Sequence, residues 1–194
     1  MGTRGAITLV AKKKEKTVYN HFDSYPSGLG DILLKWLKAN LHRIDEVIQQ
    51  VEGLKAIDKS TKPTKDDIAL LDERAKKAGA DTFGDPRVSD GDDWYAVLRK
   101  CQGNLDLMLA SGFYTDSSDF VMDSLFCEWA YVIDFDDGVF EVYKGFQTQK
   151  HDVGRFAARG GGGPYYPVKL VGSYGFDSLP EKLEAGYEEE EEDE

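Results

Sequence analysis

The segment Phe126–Phe146, FCEWAYVIDFDDGVFEVYKGF, constrains the fold more than any other, because two independent features of it predict a β-hairpin. Apolar side chains alternate with other residues on both sides of Asp137–Gly138, a preferred two-residue turn pair because Asp and Gly tolerate positive φ. A turn at this pair fixes the register and places apolar residues opposite one another on one face. The predicted pairs are Phe135 with Phe140, Ile133 with Val142, and Trp129 with Phe146.

A second hairpin is predicted near the start of the chain. Its strands, Ala6–Ala11 and Lys16–Phe22, are joined across the basic tip Lys12–Lys16. Charges at a hairpin tip commonly serve solubility, and contact with nucleic acid is the alternative. A further short strand is predicted late in the chain, in PVKLVGSYGF at Pro167–Phe176.

The clearest helical pattern follows Gly30. Asp31, or Ser27 a turn earlier, would cap the first amides, and the helix would end near Gly53. A second, shorter helix is predicted to begin within KPTKDD, with Thr64 as its N-cap. The apolar residues of the long helix recur at spacings of three and four, which places on one face Leu33, Leu37, Leu41, Ile44, Ile48 and Val51.

A loop separates the second helix from a third helical pattern. The loop Gly79–Asp93 is rich in Gly and Asp, and its first residue would terminate the second helix. The third pattern runs from Trp94 to Leu109, with Asp92 as a cap and Gly112 as a stop. Gly103 lies inside this pattern and costs about 1 kcal/mol relative to Ala, so a break there is an open alternative.

This order of elements predicts an α+β fold. Two β-hairpins and a further strand would form a mostly antiparallel sheet with the inserted helices packed on it, because strands and crossover helices do not alternate as in a doubly wound fold. The 194 residues suit one domain, which we place at residues 1–178. We expect a mobile Gly-rich loop at about residues 147–166 and a disordered acidic tail at residues 179–194.

The charge of the chain argues against nucleic acid as a partner. The formal net charge is −12, and seven of these charges belong to the run Glu188–Glu194, which leaves a net charge of −5 on the rest. A mildly acidic body is a poor match for a phosphate backbone. No segment is long and apolar enough to span a bilayer, and the first residues do not resemble a signal peptide, so we expect a cytoplasmic protein without a membrane segment.

The sequence predicts no metal site and identifies no cofactor. Cys101 and Cys127 lie in apolar patterns typical of reduced core residues, and no His or Cys spacing suits zinc. The apparent calcium loops DFDDG and SDGDDW lack the required spacing and are interpreted as turns. RGGGG at Arg159–Gly163 is typical of a flexible linker, in which Arg155 and Arg159 would form at most a mobile anion clamp.

The strongest candidate site is YNHFDSYPSGLG at Tyr19–Gly30. Here the Asp23 carboxylate beside the His21 imidazole would form an acid/base pair, and the hydroxyl of Ser24 or Tyr25 would donate a proton or anchor a ligand. Free amides at the start of the following helix would favour an anion. The alternative is a polar corner in which the same groups only support turns. The candidate catalytic residues are His21, Asp23, Ser24 and Tyr25, and the candidate ligand-binding residues are Arg4, Tyr19, Asn20, Gly28 and Gly30.

Two of these blocks resemble a known protein family. MGTRG at the start of the chain, followed by YNHFDSYPSGLG, resembles an uncharacterised family of small proteins from bacteriophages and bacteria, with similar sequences in fungi and large viruses. WAYVIDFDDGVFEVY at Trp129–Tyr143 is similar to the second recurring block of that family. The resemblance implies a phage or phage-related origin and a role inside an infected cell, where the cytoplasm would be that of the host. It carries no established activity and no catalytic assignment.

Three functions are compatible with these observations. The first is a pocket at the strand end that binds a small anionic ligand such as a nucleotide or phosphate ester, with or without turnover. The second is a non-catalytic accessory protein or inhibitor that engages a host or phage protein through its acidic surface. The third is an amidohydrolase of the N-terminal-nucleophile kind, which would require Thr3 to become the first residue.

Overall fold

The structure, a computed structural model, describes residues 2–58, 61–79, 93–160, 163–183 and 187, and it confirms the α+β class. The strands are β1 (Gly5–Ala11), β2 (Lys14–Asn20), β3 (Lys55–Ile57), β4 (Phe113–Thr115), β5 (Trp129–Asp134), β6 (Val139–Lys144) and β7 (Lys169–Gly175). Five of them form one sheet in the order β2-β1-β5-β6-β7, which is antiparallel except for the central pair β1 and β5. Strands β3 and β4 form a separate parallel pair, which the sequence did not predict.

The first hairpin has a tighter tip than predicted. Lys12 and Lys13 have φ values of 48° and 60°, as a two-residue turn between twisted antiparallel strands requires. Their amides donate to the two carboxylate oxygens of Asp136 at 2.8 and 2.6 Å. Strand β2 therefore begins at Lys14, and it ends at Asn20 rather than at the predicted Phe22.

The second hairpin forms, but its predicted register is wrong by two residues. Asp134 Oδ1 accepts hydrogen bonds from the amides of Asp136 at 3.0 Å and Asp137 at 3.1 Å, so the chain turns directly after Asp134. A four-residue loop results in place of the two-residue turn. Because the shift is even, every side chain keeps its predicted face. The observed pairs include Ile133 with Phe140, Tyr131 with Val142, and Trp129 with Lys144.

The predicted long helix is divided. Asn40 leaves regular helical geometry at φ −106° and ψ −2°, and its Nδ2 donates to the Trp36 carbonyl at 2.7 Å. No side-chain hydrogen bond caps the first of the resulting helices, although Asp31 or Ser27 was predicted to do so. The Asp31 carboxylate instead accepts from the Leu183 amide at 2.8 Å. The helices are α1 (Asp31–Asn40), α2 (Ile44–Gly53), α3 (Lys65–Lys77), α4 (Trp94–Val97) and α5 (Leu105–Ser111), with a 3-10 turn at Leu41–Arg43 between α1 and α2.

Local signals of the later helices are confirmed. Thr64 caps α3 in a capping box with Asp67. Gly103, at φ 69°, breaks the third helical pattern, and Gly112, at φ 72°, ends α5. The cap of α4 is Asp93, whose Oδ1 accepts from the Ala96 amide at 2.9 Å; the predicted cap Asp92 lies outside the described residues, as does most of the predicted loop Gly79–Asp93.

The core lies on both faces of the five-stranded sheet. The helices cover one face, and a smaller cluster that includes Val132, Tyr143 and Phe156 covers the other. Cys101 and Cys127 are buried free thiols, as predicted. Among the described residues, no helix combines the length and apolar character needed to cross a bilayer.

The Gly-rich segment packs on the sheet in its described part. Phe156 is fully buried there, and the Arg155 guanidinium donates to Asp134 at 2.7 Å and to Glu141 at 2.8 Å. Arg159 pairs with Glu15. Because both arginines are bound to carboxylates, they do not form the anion clamp that the sequence suggested.

Candidate functional site

The segment Asn20–Gly30, here called the strand-end segment, follows β2 and leads into α1. Asp23 adopts φ 51°, which ends the strand alternation, and a π-helical turn spans Pro26–Gly30. The Leu29 amide donates to the Asp23 carbonyl at 2.8 Å. A Cβ at Gly28 would lie 2.4 Å from the same carbonyl oxygen, so this chain reversal requires glycine.

Two buried polar side chains hold this segment to the sheet. Asn20 Nδ2 donates to Ser24 Oγ at 2.8 Å and to the Phe22 carbonyl at 2.5 Å. The Ser24 amide donates to the Thr3 carbonyl at 3.1 Å, and the Ser24 carbonyl accepts from the Tyr131 hydroxyl at 2.8 Å. Asn20 is 5% exposed and Ser24 is fully buried, so these groups are used in packing the segment.

The predicted acid/base pair is not brought together. The Tyr19 hydroxyl lies 2.6 Å from His21 Nδ1, and the His21 ring packs edge-on against Phe22 at 4.2 Å between centroids. Asp23 is exposed, and no hydrogen bond joins these two described residues. The positive φ of Asp23 explains this, because it removes Asp23 from the strand face that the prediction assumed.

The backbone amides of the predicted anion site are already bound. The amides of Gly28 and Gly30 donate to the Tyr25 carbonyl, the Leu29 amide is bound as described above, and the Asp31 amide donates to backbone carbonyls. Tyr25 itself packs against the core. Since these amides are satisfied within the turn, the start of α1 does not offer the donors that an anion needs.

Arg4 and Gly30 complete the set of predicted site residues. The Arg4 amide and carbonyl both bond to Glu128, at 3.1 Å each, and its guanidinium carbon lies 4.7 Å from the centroid of the Phe126 ring. A Cβ at Gly30 would lie 2.9 Å from a ring carbon of Tyr131, so Gly30 permits close packing on the sheet. Both residues serve the packing of this corner.

A cavity of about 370 Å³ opens beside β2, on the side of α4 and α5. Of the predicted site residues only Tyr19 borders it. We call it the tyrosine cavity. It is lined by Val18, Tyr19, Tyr95, Leu98, Cys101, Gln102, Met108, Phe113, Tyr114, Thr115, Asp116, Ser117, Ser118, Asp119, Phe120 and Asp123.

The interior of the tyrosine cavity is apolar. Val18, Leu98, Cys101 and Met108 are each buried to 9% exposure or less. Burial raises the pKa of the Cys101 thiol to about 12, so this sulfur is a neutral thiol at physiological pH. The interior therefore favours the apolar body of a ligand.

Aromatic rings form much of the wall. Tyr19 packs edge-on against Phe120 at 5.0 Å between centroids. Burial raises the pKa of Tyr19, and burial together with the nearby Asp116 carboxylate raises the pKa of Tyr114. Both side chains are therefore neutral phenols at physiological pH.

The mouth of the cavity is acidic. Asp116, Asp119 and Asp123 are exposed, and Asp116 accepts from the Ser118 hydroxyl at 2.7 Å. The Ser117 amide donates to the Thr17 carbonyl at 2.8 Å, which attaches this acidic turn to β2. Among the described residues, the lining contains no Lys, Arg or His, and no group of three metal-ligating side chains is arranged to hold a metal ion.

Sequence reasoning missed this site because its walls come from separate parts of the chain. The one local signal is FYTDSSDF, at Phe113–Phe120, in which aromatic residues and carboxylates alternate with hydroxyls directly after the helix stop Gly112. Comparison of the chain with protein-family models, with curated proteins and with solved structures finds no match. The geometry of the tyrosine cavity is therefore the basis for inferring a function.

Proposed function

We propose that this protein binds a small organic molecule in the tyrosine cavity. The single observation that carries the proposal is a cavity of about 370 Å³ with a buried apolar interior and polar groups at its mouth. Cavities of this size and character are the usual sites of small ligands, because the apolar wall supplies binding energy and the polar groups fix orientation.

The lining favours binding over catalysis. Cys101 is a neutral buried thiol, and among the described lining residues there is no His or Lys to act as its base. The three carboxylates at the mouth are exposed, which leaves them in an aqueous environment. A binding protein without turnover therefore agrees best with these groups.

The tyrosine cavity is also a better ligand site than the strand-end segment. The nucleotide or phosphate-ester pocket suggested by the sequence would require free amide donors near Arg4 and Gly28. The Arg4 amide already donates to the Glu128 carboxylate, and the Gly28 amide donates to the Tyr25 carbonyl. Interaction through the acidic tail and amide hydrolysis from Thr3 remain sequence-based predictions, because the run Glu188–Glu194 and Met1 lie outside the described residues. The phage-related origin is likewise carried only by the resemblance.

A blocking substitution tests the proposal. Ser118 lines the cavity, so Ser118→Trp places a large ring in the space that a ligand would occupy. The matched control is Ser173→Trp, at an exposed position of β7 outside the lining. A fragment library is screened by ligand-observed NMR against the wild type and both variants.

We expect fragments that bind the wild type to bind Ser173→Trp equally well and to lose binding to Ser118→Trp. Circular dichroism establishes that both variants are folded. If no fragment binds the wild type, or if Ser118→Trp binds the same fragments as the control, the proposed function is wrong.

A further inference from the structure

Aromatic side chains form a large part of the wall of the tyrosine cavity. Five aromatic side chains line it: Phe113, Phe120 and the three tyrosines at positions 19, 95 and 114. Aromatic faces carry partial negative charge and attract cations within about 6 Å of the ring centroid, Tyr and Trp being common partners. A ring that turns its face to the cavity therefore favours positive charge as well as apolar surface.

The formal charges of the lining have the same sign. Asp116, Asp119 and Asp123 contribute three negative charges, and no basic side chain of the described lining offsets them. Two cations lie close to rings of the wall: the Arg74 guanidinium carbon is 5.4 Å from the centroid of the Phe113 ring, and the Lys16 ammonium is 5.8 Å from that of the Tyr114 ring. Neither Arg74 nor Lys16 is part of the lining.

The Lys16 charge is already bound elsewhere. Its ammonium donates to the carbonyls of Val51 at 2.7 Å, Glu52 at 2.9 Å and Leu54 at 2.6 Å, where α2 ends. The carbonyls at a helix C-terminus carry partial negative charge, which offsets the ammonium. The Arg74 guanidinium likewise donates to the Ser111 carbonyl, at the end of α5. The formal charges of the lining itself are therefore all negative.

The apolar interior determines what kind of cation fits. A metal ion held by the protein needs several ligating side chains around it, and the described residues offer no cluster of three such side chains. An organic cation instead pairs an apolar body with a diffuse charge, which matches an interior of Val18, Leu98 and Met108 below an acidic mouth. From this combination we infer that the ligand of the tyrosine cavity is an organic ammonium compound, with its body in the interior and its charge among the tyrosine rings and the mouth carboxylates. This inference rests on the proposed function.

Three probes of the same shape and different charge test the ligand class on the wild-type protein. The cation is (4-hydroxyphenyl)trimethylammonium, the neutral isostere is 4-tert-butylphenol, and the anion is 4-hydroxybenzenesulfonate. Isothermal titration calorimetry measures each affinity at low and at physiological ionic strength. We expect the cation to bind at least tenfold more tightly than the neutral isostere, the anion not to bind, and added salt to weaken only the cation.

A charge-neutralising variant identifies the groups responsible. In Asp116→Asn/Asp119→Asn/Asp123→Asn, we expect the affinity for the cation to fall at least fivefold and that for 4-tert-butylphenol to change less than twofold. The matched control neutralises three exposed carboxylates outside the lining, in Asp66→Asn/Asp152→Asn/Asp177→Asn. This control makes the same change in net charge and should leave the cation affinity unchanged.

The outcomes separate the two claims. If none of the probes binds the wild type and the fragment screen also finds no ligand, the proposed function itself fails. If the neutral or anionic probe binds as tightly as the cation, the cavity binds ligands and the inference about their charge is wrong. Equal loss of cation affinity in the mouth variant and in the control would also overturn the inference, because net charge alone would then explain the effect.

Discussion

The strand-end segment and the tyrosine cavity share Tyr19 as a neighbour, and they use their polar groups in opposite ways. In the strand-end segment the polar groups bind one another: Asn20 binds Ser24, and the Gly28 and Leu29 amides bind carbonyls of the same turn. In the tyrosine cavity, carboxylates and aromatic rings surround about 370 Å³ of open space.

An unusual local composition can therefore indicate a constraint on folding as readily as it indicates a functional site. A chain reversal with a left-handed residue, a π-helical turn and two buried polar side chains needs Asn, Asp, Ser, Pro and Gly at set positions. A ligand cavity needs no such local arrangement, because Tyr, Asp and Met residues from distant segments suffice to line it. Each region can be perturbed without touching the other, which makes the comparison testable.

The largest effect is expected where β1 passes the strand-end segment. A Cβ at Gly5 would lie 2.5 Å from the Trp129 carbonyl oxygen and 2.6 Å from Ser24 Cβ. Gly5→Ala must therefore displace backbone of β5 or of the strand-end segment, and we expect it to lower the free energy of unfolding by about 3 kcal/mol. Urea denaturation measures this change.

Gly53→Ala is the matched control for this substitution. Gly53 ends α2, and a Cβ there meets no atom within 4 Å. We expect the control to be neutral or to stabilise the protein by about 0.5 kcal/mol, because Ala has the higher helix propensity. Equal stability of Gly5→Ala and the wild type would contradict the close packing of the strand-end segment on β1.

The next effect tests whether Asn20 and Ser24 act as one structural unit. Asn20→Ala leaves the Phe22 carbonyl and Ser24 Oγ without a buried donor, so we expect a loss of about 2 kcal/mol. Ser24→Ala should cost less than this, and the double variant should cost less than the sum of the two. A double-mutant cycle by chemical denaturation measures the coupling. Additive losses would show that the two side chains do not depend on each other.

The sequence predicted the fold class and several element ends because these depend on local chemistry. Thr64 as the N-cap of α3 and Gly112 as the stop of α5 each follow from the preferences of one residue. Gly103 breaks the third helical pattern, an alternative that the sequence left open. The hairpin at β5 and β6 was also predicted from local chemistry. Its register was wrong because Asp134 accepts from the amides of Asp136 and Asp137, a local side-chain turn that competes with the two-residue turn at Asp137–Gly138.

The tyrosine cavity could not be predicted because no single segment encodes it. Tyr19 comes from β2, Tyr95 from α4, and Asp119 from the turn after β4, and only the packing of α4 and α5 beside β2 brings them together. Conversely, His21 and Asp23 alternate in the sequence, but the backbone rotates at Asp23 and separates them. The side-chain period of a strand predicts neighbours only while the strand continues.

The pH dependence of the free energy of unfolding tests whether the interior of the tyrosine cavity excludes water. The folded-state pKa of Cys101 is raised from 9.0 to about 12 by burial, so the thiol contributes stability that is complete below pH 9 and is lost as the pH rises towards 12. In Cys101→Ala we expect the fall of unfolding free energy over this range to be less steep, by up to about 1.4 kcal/mol per pH unit. Denaturant titrations at several alkaline pH values measure the slope. An unchanged slope would mean that the cavity interior is more hydrated than its lining indicates.

The smallest effect on stability is expected at Asp23. Its substitution distinguishes a ligand site in the strand-end segment from one in the tyrosine cavity. Asp23 is exposed at φ 51°, a conformation that Gly adopts without strain and Asn tolerates, so Asp23→Gly and Asp23→Asn should each change the free energy of unfolding by less than about 1 kcal/mol. If the tyrosine cavity is the ligand site, both variants bind (4-hydroxyphenyl)trimethylammonium as the wild type does in calorimetry. An acid/base or ligand role for Asp23 requires instead that Asp23→Asn abolish binding in a protein whose stability has not changed. That result would indicate that the ligand site lies in the strand-end segment, because no change in folding could account for the loss of binding.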